Sequence, residues 1–282
     1  MKVADVMTPR EKLVTVSLPG TRDDALEYLQ ERSFSSVPVV ADADGEEEYR
    51  GLVSREDLIK RPDEDQLAIL MRDVPTTTSD ASVGEVAALI GETGERRIPV
   101  VNGGGLSGIV TITDVIRAIA DGEVDGDVAV GDLARRDINT TYQGAPLQVV
   151  EKELAFGRVP YAVVLDDGGE MAGIVTEVDI LAVAEVVEGE EGTGDSIADQ
   201  DDDWMWEGIK AVGNRYLPTR NVEIPDEPVR EYMSADPVTV TSKRTARDAA
   251  QMMLNNDIEQ IPLVTGDELA GIVRDIDLVA GL

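Results

Sequence analysis

The chain contains no cysteine and no histidine. The first absence excludes disulfides and Cys-based zinc sites. The second removes imidazole bases, His-ligated metals and Ser-His-Asp triads. Aromatic residues make up only 4%, so a core must be built from Val, Ile, Leu and Ala. Basic residues are also few, 25 against 57 acidic ones, for a formal net charge of -32. A field of that sign repels phosphate backbones and argues against nucleic acid as a partner. No apolar run approaches the roughly 18 residues that span a bilayer. The opening Met-Lys-Val-Ala-Asp-Val-Met-Thr-Pro is no secretory signal. A cytoplasmic protein with no membrane partner is expected. The acidity runs along the whole chain and Arg outnumbers Lys, the pattern of a salt-adapted, halophilic surface. At molar salt the Debye length is about 3 Å, so a local site can still hold an anion.

What the chain does contain is a repeat. Its 282 residues, 42% of them hydrophobic, suffice for about two domains. One phrase returns four times: Gly51–Asp57 (GLVSRED), Gly108–Asp114 (GIVTITD), Gly173–Asp179 (GIVTEVD) and Gly271–Asp277 (GIVRDID). Ahead of each lies a proline-bearing apolar stretch: Val37-Pro38-Val39, Ile98-Pro99-Val100, Val159-Pro160-Tyr161 and Ile261-Pro262-Leu263. Four prolines in register predict a shared strand geometry, since proline is confined to strand starts and edges. Farther upstream, Thr21-x-x-Asp24, Ser82-x-x-Glu85 and Thr245-x-x-Asp248 are capping-box starts for a first helix. The Gly-rich Asn102–Gly105 lacks a following Lys-Ser/Thr and reads as a hairpin turn rather than a phosphate loop. The unit is therefore β-α-β-β-α, in the α/β (α+β) class. Four copies are expected at about 1–62, 66–122, 128–187 and 230–282, with an insertion at about 188–229.

Chemistry concentrates where the phrase turns from strand to helix. The start of a helix offers free N–H groups and the positive end of its dipole to a phosphate. The hydroxyls of Ser54, Thr111 and Thr176 can bond a phosphate oxygen. One turn later Asp57, Asp114 and Asp179 can accept from two ribose hydroxyls, as an Asp does in dinucleotide folds. The competing reading is purely structural, because Ser/Thr-x-x-Asp is also how a helix caps itself. The fourth unit keeps Asp277 but replaces the hydroxyl by Arg274, which contacts phosphate directly or fills the cleft.

These residues resemble the CBS motif, and the resemblance covers nearly the whole chain outside the insertion. It implies two Bateman modules, residues 1–125 and 126–282, each a pair of motifs. It implies a non-enzymatic, stand-alone regulatory protein of archaeal type. Clefts between paired motifs would bind AMP, ADP, ATP or S-adenosylmethionine, with Mg²⁺ accompanying ATP and no obligatory cofactor or metal site. A homodimer is expected from the same resemblance. Basic groups before the Pro-bearing strand, Arg97 and Arg158 (with Arg96 beside Arg97), would face phosphate or else lie solvated. Adenine would lie against Val14, Thr15, Val37, Val39, Ile98 and Val100, unless these are plain core. The alternative function is a nucleotide-independent scaffold. Its contact would be Trp204–Arg220, which holds both tryptophans and docks on the chain itself or on a partner. Its acidic neighbours Asp199, Asp201, Asp202 and Asp203 are a solvated run or a site for Mg²⁺ or Ca²⁺; they do not meet the EF-hand pattern.

Overall fold

The computed structural model describes residues 1–31, 36–43, 45–54, 57–58, 61, 64–183, 185–188, 220–266 and 268–282. The expected unit recurs in it. In the first motif β2 (Val16–Leu18) precedes α2 (Arg22–Glu31), β3 (Ser36–Ala43) and β4 (Glu46–Ser54). The second has α4 (Val83–Thr93), β5 (Arg97–Asn102), β6 (Gly105–Thr111) and α5 (Ile112–Ala120). The third has β7 (Thr140–Tyr142), α7 (Leu147–Gly157), β8 (Tyr161–Leu165), β9 (Met171–Thr176) and α8 (Glu177–Val183). The fourth has β12 (Val240–Thr241), α9 (Ala246–Asn256), β13 (Gln260–Thr265), β14 (Glu268–Arg274) and α10 (Asp275–Ala280). In motifs one, three and four the first strand pairs parallel with the second, and the second antiparallel with the third. In motif two a single parallel bridge, Thr77↔Val100, stands in for the first strand. Asn102–Gly105 is the hairpin turn, with Gly103 and Gly104 at positive φ as such turns require.

Before each motif runs a leading segment that packs on another motif. In the first, α1 (Val3–Val6) is followed by β1 (Thr8–Pro9), which pairs with β6 of motif two. The leader of motif two, α3 (Leu67–Leu70), enters the core of motif one, and Arg72 bridges Leu52 there. The leader of motif three, α6 (Val130–Leu133), continues to an Arg135↔Ile272 bridge on motif four. The leader of motif four, a 3-10 turn at Val229–Glu231, continues to an Ile174↔Ser234 bridge on motif three. One apolar residue of each leader, Val3, Leu67, Val130 and Val229, is wholly buried in the receiving motif. Each such side chain is worth about 1.5–3 kcal/mol of burial.

This exchange explains the glycine of the repeated phrase. An added Cβ at Gly51, Gly108, Gly173 or Gly271 would lie 2.6–2.7 Å from a backbone oxygen of the arriving leader, that of Arg72, Thr8, Ser234 or Arg135. No side chain fits between strand and leader.

By contacts the chain divides into two compact units, Met1–Asp137 with Val238–Leu282, and Ile138–Pro237. The cuts fall where the third and fourth leaders end. In the first unit, motif one has its own core of Val16, Ala25, Leu29, Val37, Val39 and Val53 with Leu67 and Leu70 of the arriving leader. The helices of motifs two and four share another, including Val86, Ile90, Ile119, Ala249, Met253 and Leu278. Gly91 brings α4 close to α10: a Cβ there would stand 3.2 Å from Ala280 Cα. In the second unit, Leu147, Val150, Leu154, Ala162, Val164 and Val175 close the core of motif three with Val229. The ends of the insertion are tied by an antiparallel ladder, β10 (Glu185–Glu188) with β11 (Arg220–Glu223). Residues 189–219, which include the aspartates from 199 to 203 and nearly all of Trp204–Arg220, lie outside the described residues. Among the described residues no helix is long and apolar enough to cross a membrane.

One expectation about register needs correction. Pro38, Pro99 and Pro262 do stand opposite Leu52, Ile109 and Ile272, one residue past the phrase glycine. In motif three that place, opposite Ile174, belongs to Val163, and Pro160 lies before the strand. The apolar spacing around Val159-Pro160 imitated the pattern three residues early.

The shift moves Arg158 as well. It caps the C-terminus of α7 in the left-handed conformation, φ 50°, where motif two has Gly94 at φ 74°. A side chain there is strained, and glycine relieves the strain. Arg158→Gly should raise the stability of the second unit by about 0.5–1 kcal/mol, read as a higher denaturation midpoint at unchanged m-value.

Candidate functional site

The four strand-to-helix turns share one geometry. In motif two, Asp114 Oδ2 accepts from the Thr111 N–H (2.9 Å) and hydroxyl (2.8 Å). In motif three, Asp179 Oδ2 accepts from the Thr176 N–H (2.8 Å) and hydroxyl (2.8 Å), and its own N–H donates back to Oγ1 (3.4 Å). In motif one, Asp57 Oδ2 accepts from the Ser54 N–H (2.9 Å) and hydroxyl (2.6 Å). The first-helix starts at Thr21, Ser82 and Thr245 are tied to their carboxylates in a similar way. Self-capping is therefore realised at every junction. What separates one junction from another is how much of each carboxylate remains.

At motif three, Asp179 Oδ1 has no hydrogen-bond partner among the described residues. At motif two, Asp114 Oδ1 meets, among the described residues, only the exposed Arg117, at 3.3 Å. These two carboxylates retain acceptor capacity. At motif one, Arg72 Nε lies 2.8 Å from Asp57 Oδ1 and 3.0 Å from Oδ2, while its Nη1 holds Glu95 at 2.7 Å. At motif four, Arg274 closes on Asp277 with Nε to Oδ2 at 2.9 Å and Nη2 to Oδ1 at 2.8 Å, and Arg135 adds a third contact at 3.2 Å. Burial works to raise the Asp277 carboxyl, but Arg274 and Arg135 outweigh it and hold it below the usual carboxylate range. Arg274 thus pairs with the neighbouring carboxylate, and the backbone half of the cap survives as Arg274 N–H to Asp277 Oδ2, 3.1 Å.

The helix starts are less open than their sequence suggests. The first helical N–H is already bonded across the hairpin: Ile112 to Arg96 O, Glu177 to Pro160 O and Asp275 to Glu259 O, at 2.8–3.1 Å.

Register puts Arg97 directly across from Thr111. The corresponding places hold Ser36, Tyr161 and Gln260. Arg96 is fully engaged, by Asp275 at 2.5 Å and Glu259 at 2.9 Å. Arg97 is half-buried and makes no ion pair or hydrogen bond with any described residue. Burial and the neighbouring Arg96 push its pKa down, against a pull upward from Glu259.

Of the residues expected around adenine, Val37, Val39, Ile98 and Val100 are at most 1% exposed and belong to the cores. Val14 and Thr15 are half-buried at the approach to β2, where the Thr15 hydroxyl accepts from Arg10 at 2.9 Å and Arg10 also grips Glu47. Sequence reasoning missed Arg10, Arg72 and Arg135. For the last two the sequence signal is position: Arg72 and Arg135 occupy the same place in their leaders, that of Thr8 and Ser234.

Comparison with known proteins gives a consistent outcome. The CBS domain family model matches residues 3–64, 67–121, 130–185 and 229–282. Protein MJ1404 of Methanocaldococcus jannaschii is 27% identical over 278 residues, 98% of this chain and 61% of that protein. MJ1225 of the same organism is 26% identical over 188 residues, 61% of this chain and 66% of that protein. The chain thus spans less than two thirds of these curated relatives. Among solved structures, a conserved protein from Pyrococcus horikoshii superposes with TM-score 0.70 at 26% identity, covering 99% of this chain and 98% of that one.

Proposed function

The chain is a CBS-domain protein with four such domains, and on that premise we propose that it is a regulatory sensor binding adenosyl nucleotides at the strand-to-helix junctions. Arg97 carries the reading. A molecule of net charge -32 has abundant carboxylates to neutralise a guanidinium, yet this one is half-buried and unpaired among the described residues. Leaving a partly desolvated cation unpaired is costly, and a bound anion removes the cost. Across the ladder stands Thr111, with the part-free Asp114 one helical turn on. Cation, hydroxyl and diol acceptor together suit a nucleoside phosphate: phosphate to Arg97, ribose to Asp114. Motif three supplies the same hydroxyl and carboxylate in Thr176 and Asp179, without the arginine. Regulation follows if the nucleotide binds one arrangement of the motifs better than another.

The test is calorimetric titration of the purified chain, at molar and at low salt, with AMP, ADP, ATP and S-adenosylmethionine. Saturable binding of any of them upholds the sensor. Absence of binding by all four overturns it and leaves the nucleotide-independent scaffold.

A further inference from the structure

Resting on that reading, we infer that two of the four junctions are closed by the protein's own arginines, so that nucleotide enters only at Asp114 and Asp179. The four bridges define one structural position in every leader. It holds Thr8 facing motif two, Arg72 facing motif one, Arg135 facing motif four and Ser234 facing motif three. Each arriving residue pairs with the strand residue just after the phrase glycine, so its side chain starts from an equivalent point near the phrase carboxylate. Where the position holds arginine, the guanidinium reaches that carboxylate: Arg72 to Asp57 at 2.8 Å and Arg135 to Asp277 at 3.2 Å. Where it holds a short hydroxyl residue, Thr8 or Ser234, that hydroxyl makes no hydrogen bond to Asp114 or Asp179.

The closed carboxylates are better buried than Asp114. Asp57 and Asp277 have side chains 9% exposed, against 13% for Asp114. A ribose diol that used Asp57 would have to displace a charge-assisted bond with a neutral one, from a carboxylate already sharing Oδ2 with Ser54. Arg72 is itself anchored on its far side by Glu95. Motif one is guarded a second time, because Arg10 occupies the Thr15 hydroxyl. Motif four is also guarded twice, by Arg135 from the leader and Arg274 from its own phrase. The arrangement is pseudo-symmetric: the first and last motifs are closed and the two inner ones open.

The experiment is the AMP stoichiometry of the full chain, by calorimetry at fixed salt. The wild type should take two molecules. Arg72→Ala, and Arg72→Gln as a milder variant, should take a third, and adding Asp57→Ala to either should remove it. A further molecule at motif four should require Arg135→Ala together with Arg274→Thr, since either arginine alone still holds Asp277. Circular dichroism establishes that each variant is folded. Two molecules in the wild type with unchanged stoichiometry in both Arg72 variants overturns the closure while leaving the sensor intact. So does a wild-type site abolished by Asp57→Ala. If AMP does not bind, the same stoichiometry is read with whichever of ADP, ATP or S-adenosylmethionine does; binding of none of the four to wild type or variants overturns the sensor itself, and the closure with it.

Discussion

Arg97→Ala should weaken AMP binding by about ten- to a hundredfold, the weight of one charge-assisted hydrogen bond of about 1.5–3 kcal/mol. It should leave adenosine, which lacks the phosphate, within about twofold. Asp114→Ala should weaken both ligands at motif two, because the ribose is common to them. Paired titrations with AMP and adenosine separate the two roles. If Arg97→Ala lowers adenosine affinity as much as AMP affinity, the arginine is supporting the fold and not meeting phosphate. Salt supplies a second check. A phosphate contact in a strongly acidic molecule should gain from screening of the surrounding carboxylates, while an exposed ion pair would only lose.

The second large effect is on stability. Gly108→Ala and Gly173→Ala each drive a methyl group to 2.6 Å from a leader carbonyl, and to 2.9 and 2.8 Å from the Met7 and Met233 sulfurs. The sulfur can move aside; the carbonyl belongs to a bridge and cannot move without breaking it. Overpacking of this kind costs about 1–3 kcal/mol, or several degrees of melting temperature for a unit of this size. Because the strain falls on the leader, Gly108→Ala should also expose residues 1–9 to limited proteolysis. Gly84→Ala is the matched control. Its position on α4 has only Ser82 Oγ within reach, at 3.9 Å, so alanine there should stabilise by up to about 1 kcal/mol. Equal destabilisation by Gly84→Ala and Gly108→Ala, or none by Gly108→Ala, would sink the close-approach account.

Much of this was legible in the residue order, and what was legible is local. The capping carboxylates lie three residues from their partners, a distance set by one turn of helix, so Asp57, Asp114, Asp179 and Asp277 could be placed from spacing. The hairpin at Asn102–Gly105 and the fourfold unit follow from turn chemistry and repetition in the same way. Even local pattern misled once: Val159-Pro160 has the right composition three residues too early, and only ladder pairing could show that Val163 holds the place.

What tertiary structure decided is which carboxylates are left to bind anything. Arg72 reaches Asp57 across 15 residues and Arg135 reaches Asp277 across 142. Neither separation corresponds to a helical or strand period, so nothing in the spacing announces the pair. Both depend on each leader crossing to the neighbouring motif, a crossing held by buried apolar side chains and admitted by one glycine. The sequence by itself determined the four junctions and their shared capping chemistry, because those interactions close within a single turn. Arg274 meets Asp277 within that same turn, whereas the fold alone brought Arg72 to Asp57 and Arg135 to Asp277 and left Asp114 and Asp179 without such a partner, because those ion pairs form only where packing brings a charge from elsewhere in the chain.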